Sequence, residues 1–250
     1  MIFDLTGRTA LVTGAGQNVG AGIARMLADQ GASVAVNDIV SDRAEAAAEV
    51  IRSAGGRSLA VAFDVTDYEQ VTNGVRESER GLGPVDILVN NAGNGGAAGM
   101  TPTQFRDMEP AAWDGPIRVN LDGVLHCCHA VINGMCDRGW GRIITISSGA
   151  GTNGINIGVA PYSAGKGGGI AFTRSLAMEV ASLGVTANSL AIGLQAMEDA
   201  AVTEHLARSV PVGRTGVPDD VGAACVWLAS AEAAWVTGQT IGINGGSITT

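Results

Sequence analysis

The feature that most constrains this chain lies in its first forty residues. An apolar run at residues 9–12 meets a glycine-rich turn at 14–20; a helical stretch, 21–30, follows, and a second apolar run covers 33–36. Strand, turn, helix and strand at this spacing form one βαβ unit, whose crossover makes the two strands pair in parallel. The alternation continues with helical residues 43–54, an apolar run at 58–63, helical residues 68–80 and a strand at 86–90. Further strands are predicted at 142–147, 186–190 and 240–243, each preceded by a segment of helical length. This is the α/β class: a doubly wound parallel sheet with helices on both faces, in a single domain over residues 1–250 without linker or repeat. In such sheets ligands bind outside the carboxyl ends of the strands.

Composition narrows the partners. Fifteen Lys and Arg against 24 Asp and Glu leave a net charge of −9, which repels nucleic acid and anionic membranes. Asp4 and Arg8 interrupt the apolar stretch a leader would need, and the longest uncharged run, 143–165, is rich in Gly, Ser and Asn. We therefore expect a cytoplasmic protein that does not contact the membrane. Cys127, Cys128, Cys136 and Cys225 lack the spacing of a disulfide framework and suit a reducing compartment. His126 and His129, at i and i+3, share a helix face, but one helix offers too few ligands, so no metal site is assigned.

Between the first strand and helix, Gly14, Gln17, Asn18, Val19 and Gly20 form a turn whose backbone can approach a pyrophosphate at the helix N-terminus. Asp38, 24 residues after Gly14, ends the second strand, where a carboxylate accepts hydrogen bonds from an adenosine ribose or, alternatively, caps the next helix. Tyr162 and Lys166 stand at i and i+4, on one helix face. Ionising a phenol near pH 7 needs about 4 kcal/mol of help, which one cation at about 4 Å and an effective dielectric of about 20 supplies.

These residues resemble the short-chain dehydrogenase/reductase family, of the ketoreductase and 3-oxoacyl reductase type, and imply its Rossmann-like fold. The family's TGxxxGxG is matched at 13–20 except that Asn18 stands at the middle glycine, where Asn tolerates left-handed backbone. Asn90-Asn91-Ala92-Gly93, Pro211-Val212-Gly213-Arg214, Val236-Thr237-Gly238-Gln239 and Asn244-Gly245-Gly246 look like further family segments. The resemblance implies cofactor contacts from the turn, Asp38, Ile39, Asp64, Val65, Asn91, Ala92, Gly93, Tyr162, Lys166 and Gly193. It also implies Tyr162 as acid/base, with Lys166 lowering its pKa and holding the ribose. Ser148 is the carbonyl donor, with Ser147 the alternative, and Asn120 supports proton exchange unless it only satisfies its own helix. The implied cofactor is NAD(H), with NADP less favoured because Asp38 repels a 2′-phosphate and Arg43 reads as a surface charge. The apolar segment 170–185 falls where the family forms its dimer interface, so a homotetramer or homodimer is expected.

Two departures bear on substrate. Ser148 precedes Tyr162 by one residue more than is usual in the family, placing an insertion between Ile155 and Pro161. After the strand at 186–190, Ile192-Gly193 lacks the family's Pro, and Met197 replaces a Thr that contacts the carboxamide. We expect a small or mobile cover and an apolar rim of Ile192, Leu194 and Met197. The function implied is interconversion of a secondary alcohol and a ketone, on a bulky or cyclic ketone. The alternatives are a 3-oxoacyl thioester reductase or hydroxyacyl-CoA dehydrogenase, and a dinucleotide-binding regulator without turnover.

Overall fold

In the computed structural model, which describes residues 2–93, 100–197 and 199–249, seven strands alternate with helices. The strands are β1 (Thr9–Val12), β2 (Ser33–Asp38), β3 (Ser58–Ala62), β4 (Ile87–Asn90), β5 (Gly141–Ser148), β6 (Val185–Ile192) and β7 (Thr240–Ile243). They form one parallel sheet in the order β3-β2-β1-β4-β5-β6-β7. The order reverses between β1 and β4, so crossovers leave to opposite faces there and open a crevice at the carboxyl ends.

The helices are α1 (Asn18–Asp29), α2 (Ser41–Ser53), α3 (Tyr68–Leu82), α4 (Asp114–Ile117), α5 (Gly123–Asp137), α6 (Gly149–Thr152), α7 (Ala160–Val180), α8 (Ala200–Ala207) and α9 (Pro218–Ala229). Strand side chains alternate between two cores. Ala10, Val12, Ile87 and Val89 pack with Ile23, Leu27, Val221 and Leu228 on one face, and Leu11 and Leu88 pack with Val75, Cys127, Met135 and Leu176 on the other. Cys127, Cys128 and Cys225 are fully buried, and burial raises their thiols. They act as small apolar groups.

The structure extends several elements beyond the periodic pattern. β2 continues through Asn37 to Asp38, because Asn37 satisfies its side chain on Val61 O and Phe63 O rather than turning the chain. β5 and β6 pair over eight residues, Gly141↔Val185 to Ser148↔Ile192, so the polar Ser147 and Ser148 belong to a strand. α1 begins at Asn18, three residues early, since the turn closes within its first glycines.

Candidate active site

The glycine turn is shaped by what it cannot hold. Gly14 has φ +58°, and a Cβ there would lie 2.8 Å from Ala92 Cα; one on Gly20 would lie 2.3 Å from Gly14 O. Asn18 takes φ 48°, a left-handed conformation that Asn tolerates. Three neighbouring segments fix the turn. Gly14 N donates to Asn37 Oδ1 (3.3 Å), Asn91 Nδ2 donates to the carbonyls of Thr13 and Gly14 (2.9 Å each), and Thr13 Oγ1 accepts from the Asn91 and Ala92 amides (3.0 Å each). Gln17, the N-cap of α1, makes no side-chain capping bond. The glycines thus let the turn pack tightly on Asn91 and Ala92, and the first-turn amides of α1, without a Gln17 side-chain cap, are the donors that would hold a pyrophosphate.

Asp38 closes one end of the turn. It is buried, and its carboxylate accepts from Gly16 N (3.2 Å) and Val40 N (3.0 Å). A Cβ on Gly16 would meet Asp38 Oδ2 at 2.7 Å and Arg43 Cβ at 2.6 Å, so the acid and the exposed arginine flank one turn residue. Ile39 beside it is half exposed. Val65 is buried, its carbonyl 2.9 Å from His126 Nδ1, while Asp64 Oδ1 accepts from Thr66 N (2.8 Å). His129 Nδ1 lies 2.6 Å from the Tyr68 hydroxyl. Among the described residues no group of three or more His, Cys, Asp or Glu could hold a metal ion.

The second cluster gathers at the carboxyl end of β5. Ser148 ends that strand and caps α6, its Oγ accepting from Ala150 N (3.1 Å). Its hydroxyl also lies beside the phenol of Tyr162, in the first turn of α7, and favours the phenolate. Ser147 Oγ instead donates to Lys166 O (3.1 Å), away from the phenol. Lys166 is the only lysine among 250 residues, beside 14 arginines. It is buried, and its Nζ donates to Ile146 O (2.7 Å) and lies 5.9 Å from the Tyr162 ring centre. Burial pulls its ammonium from 10.5 down to about 8.

The phenol departs from the sequence-based expectation. Burial raises its pKa, and the Ser148 hydroxyl offsets part of the rise. Lys166 makes no ion pair with it here, because the amine is turned to the Ile146 carbonyl.

Asn120 sits in a π-helical segment, Arg118–Asp122, joining α4 to α5, the kind of bulge that clusters at functional sites. Its Nδ2 donates to Pro116 O (2.7 Å), satisfying its own helix. Its Oδ1 nevertheless faces the site: a Cβ on Gly93 would lie 2.8 Å from both Asn120 Oδ1 and Lys166 Nζ. Gly93 is therefore the point where β4, the π segment and α7 converge.

Gly193 follows β6, donates to Ile243 O (2.9 Å) and leads into the cover. The cover is short but structured. Gln195 bridges to Gly216, the Met197 amide donates to Thr203 Oγ1 (2.8 Å), and Asp199 caps α8. α8 buries none of its residues, and Leu194 and Met197 are 42% and 58% exposed, leaving the mouth apolar. The longer loop before Tyr162 exposes Ile155 and Ile157, and Gly158 O accepts from Thr103 N (2.8 Å).

Sequence reasoning missed Thr13 and Asn37, which stitch the turn together. Their one signal was a polar side chain at the buried end of an apolar strand.

Comparison with known proteins gives the same picture. The acetoacetyl-CoA reductase of Shinella zoogloeoides is 39% identical over 245 residues, covering 96% of this chain and 98% of that protein. The 3-oxoacyl-[acyl-carrier-protein] reductase FabG of Vibrio harveyi is 38% identical over 249 residues, covering 97% and 98%. A gluconate 5-dehydrogenase from Burkholderia cenocepacia, crystallised with NADP and tartrate, superposes with a TM-score of 0.89 at 36% identity, covering 98% of this chain and 96% of that one. The model for short chain dehydrogenase matches residues 8–204. Aligned with ketone reductases along nearly its whole length, this chain belongs to the short chain dehydrogenase family, oxidoreductases that interconvert secondary alcohols and ketones with a nicotinamide dinucleotide.

Proposed function

We propose that the protein reduces the ketone of a 3-oxoacyl thioester to the secondary alcohol. The half-buried Ser148 and Tyr162 hydroxyls, beside a rim that exposes Leu194 and Met197, carry this reading. Likeness to an acetoacetyl-CoA reductase and a 3-oxoacyl reductase favours a thioester on a linear carrier arm over a bulky or cyclic ketone.

The nicotinamide dinucleotide, when bound, supplies the hydride for reduction and takes it in the reverse direction. Ser148 and Tyr162 donate hydrogen bonds to the ketone oxygen, aimed where negative charge develops. Tyr162 then gives up its phenolic proton to that oxygen. The raised phenol is the right form for this step, since it is fully protonated at neutral pH. Lys166 places a positive charge beside the phenolate that remains, and Asn120, beside it, supports reprotonation.

Turnover of acetoacetyl thioesters and of cyclic ketones, followed by loss of the reduced cofactor, tests the assignment. We expect kcat/KM to favour the thioester at least tenfold. Cyclic ketones turned over equally well would overturn the thioester reading.

For the cofactor we propose NAD(H). A 2′-phosphate about 4 Å from Asp38 meets a like charge costing about 4 kcal/mol at an effective dielectric near 20. A related structure was obtained with NADP, so the preference rests on Asp38. We expect Asp38→Ser to narrow the NADH-over-NADPH ratio of kcat/KM at least a hundredfold, with Arg43 then holding the phosphate. A wild type that prefers NADPH would contradict it.

The same reading makes the protein a cytoplasmic homotetramer or homodimer acting on a small-molecule ketone or alcohol. Among the described residues no helix is long and apolar enough to cross a membrane.

A further inference from the structure

The end of the chain returns to the turn that carries Ser148. Gly149 follows that serine directly, and a Cβ built on it would lie 2.7 Å from Ile248 Cδ1. The space a side chain at 149 would fill is thus occupied by a residue 99 positions away. Ile248 is held there by polar bonds. Asn244 Nδ2 donates to Ile248 O (3.1 Å), Asn244 Oδ1 accepts from Gly246 N (3.0 Å), and Ser247 N donates to Asn244 O (3.1 Å). Asn244 is itself fixed on the other side: a Cβ on Gly193 would meet its Cα at 2.8 Å. The tail therefore spans the carboxyl ends of β5 and β6, the two strands that deliver Ser148 and the cover.

We propose that Ile248 is a specificity-determining residue, the apolar wall that limits the substituent on the far side of the reacting carbonyl. This rests on the reading of Ser148 as the carbonyl donor. Glycine at 149 gives the Ser148 turn no side chain of its own, so substrate bulk beside the donor is met by the tail. A branched four-carbon side chain there favours a methyl substituent over a propyl one, because one or two methylenes in an apolar pocket are worth roughly tenfold or more in kcat/KM.

The test compares acetoacetyl with 3-oxohexanoyl N-acetylcysteamine thioester on wild type, Ile248→Ala, Ile248→Val and Ile248→Phe. Calorimetric cofactor binding and thermal unfolding are measured alongside. Ile248→Ala is expected to shift the kcat/KM ratio at least tenfold toward the longer substrate, Ile248→Val to shift it less, and Ile248→Phe to shift it the other way. Cofactor affinity should stay within twofold. A ratio that does not move in either direction, or a shift accounted for by cofactor affinity, overturns the inference alone. A wild type that turns over neither substrate overturns the thioester reading and this inference together. Should Ile248→Ala fail to fold, the opposed Val and Phe variants still decide the matter.

Discussion

Tyr162→Phe is expected to lose ketone reduction by about a thousandfold or more while still binding the reduced cofactor within a few fold, since positioned proton transfer contributes about 10²–10⁴. The variant removes one hydroxyl and leaves the ring that packs in the site. Ser148 keeps its bond to the Ala150 amide, so its turn remains in place. Steady-state rates and calorimetric titration on the same preparation separate the two effects. The wild type carries a pH signature as well. Burial holds the phenol above its ordinary value, so reduction should be flat through neutrality while alcohol oxidation, which needs the phenolate, climbs into the alkaline range. Retained turnover in Tyr162→Phe would remove Tyr162 from the mechanism.

Lys166→Met is the second large effect, and it moves activity and stability in opposite directions. In the unfolded chain the amine holds its proton up to pH about 10.5, but in the folded protein only up to about 8. Between those values the unfolded state binds more protons, so stability rises with pH. Below about 8 the deficit is constant, about 3 kcal/mol from the 1.36 kcal/mol per pKa unit. The three buried cysteines act in the reverse sense. Their thiols are raised from 9.0, so the stability they contribute is present below pH 9 and lost above it. These groups together place a stability maximum near pH 9. Methionine removes the rise on the neutral side and forfeits the bond to Ile146 O, worth about 1–2 kcal/mol. At pH 7 we expect Lys166→Met to be about 1 kcal/mol more stable in urea unfolding, with turnover down at least a hundredfold and cofactor binding weakened. A variant destabilised by more than about 1 kcal/mol at pH 7 would show that the buried amine is not under strain.

The sheet was legible because its signals are local. Alternating apolar runs and glycine turns fall within windows of ten residues, and β1 and β7 match their predicted bounds. Helical spacing puts Tyr162 and Lys166 on one face, but as a site the pair was legible only beside the glycine turn and the family segments. Contacts between distant segments were not. The break at Asn120 was legible only through the family resemblance, which places a helix kink there; its π form depends on α4 and the π segment packing on α7 around Gly165. The seating of Ile248 on Gly149 joins two positions whose neighbours give no hint of each other. The phenol's direction of shift was likewise hidden, because it depends on how deeply α7 buries the ring and on where the amine finds its carbonyl.

With its single lysine inside the site, the protein presents positive charge to solvent only as guanidinium, apart from the terminal amine. An acylating reagent of the kind that decorates surface amines at random therefore finds only one ε-amine, and that one is reachable only when the fold opens around Ile146. Once released the amine is trapped irreversibly. The rate of that single modification becomes a clock for local opening of the site, readable by mass alone, and bound cofactor or substrate should slow it in proportion to the opening it suppresses.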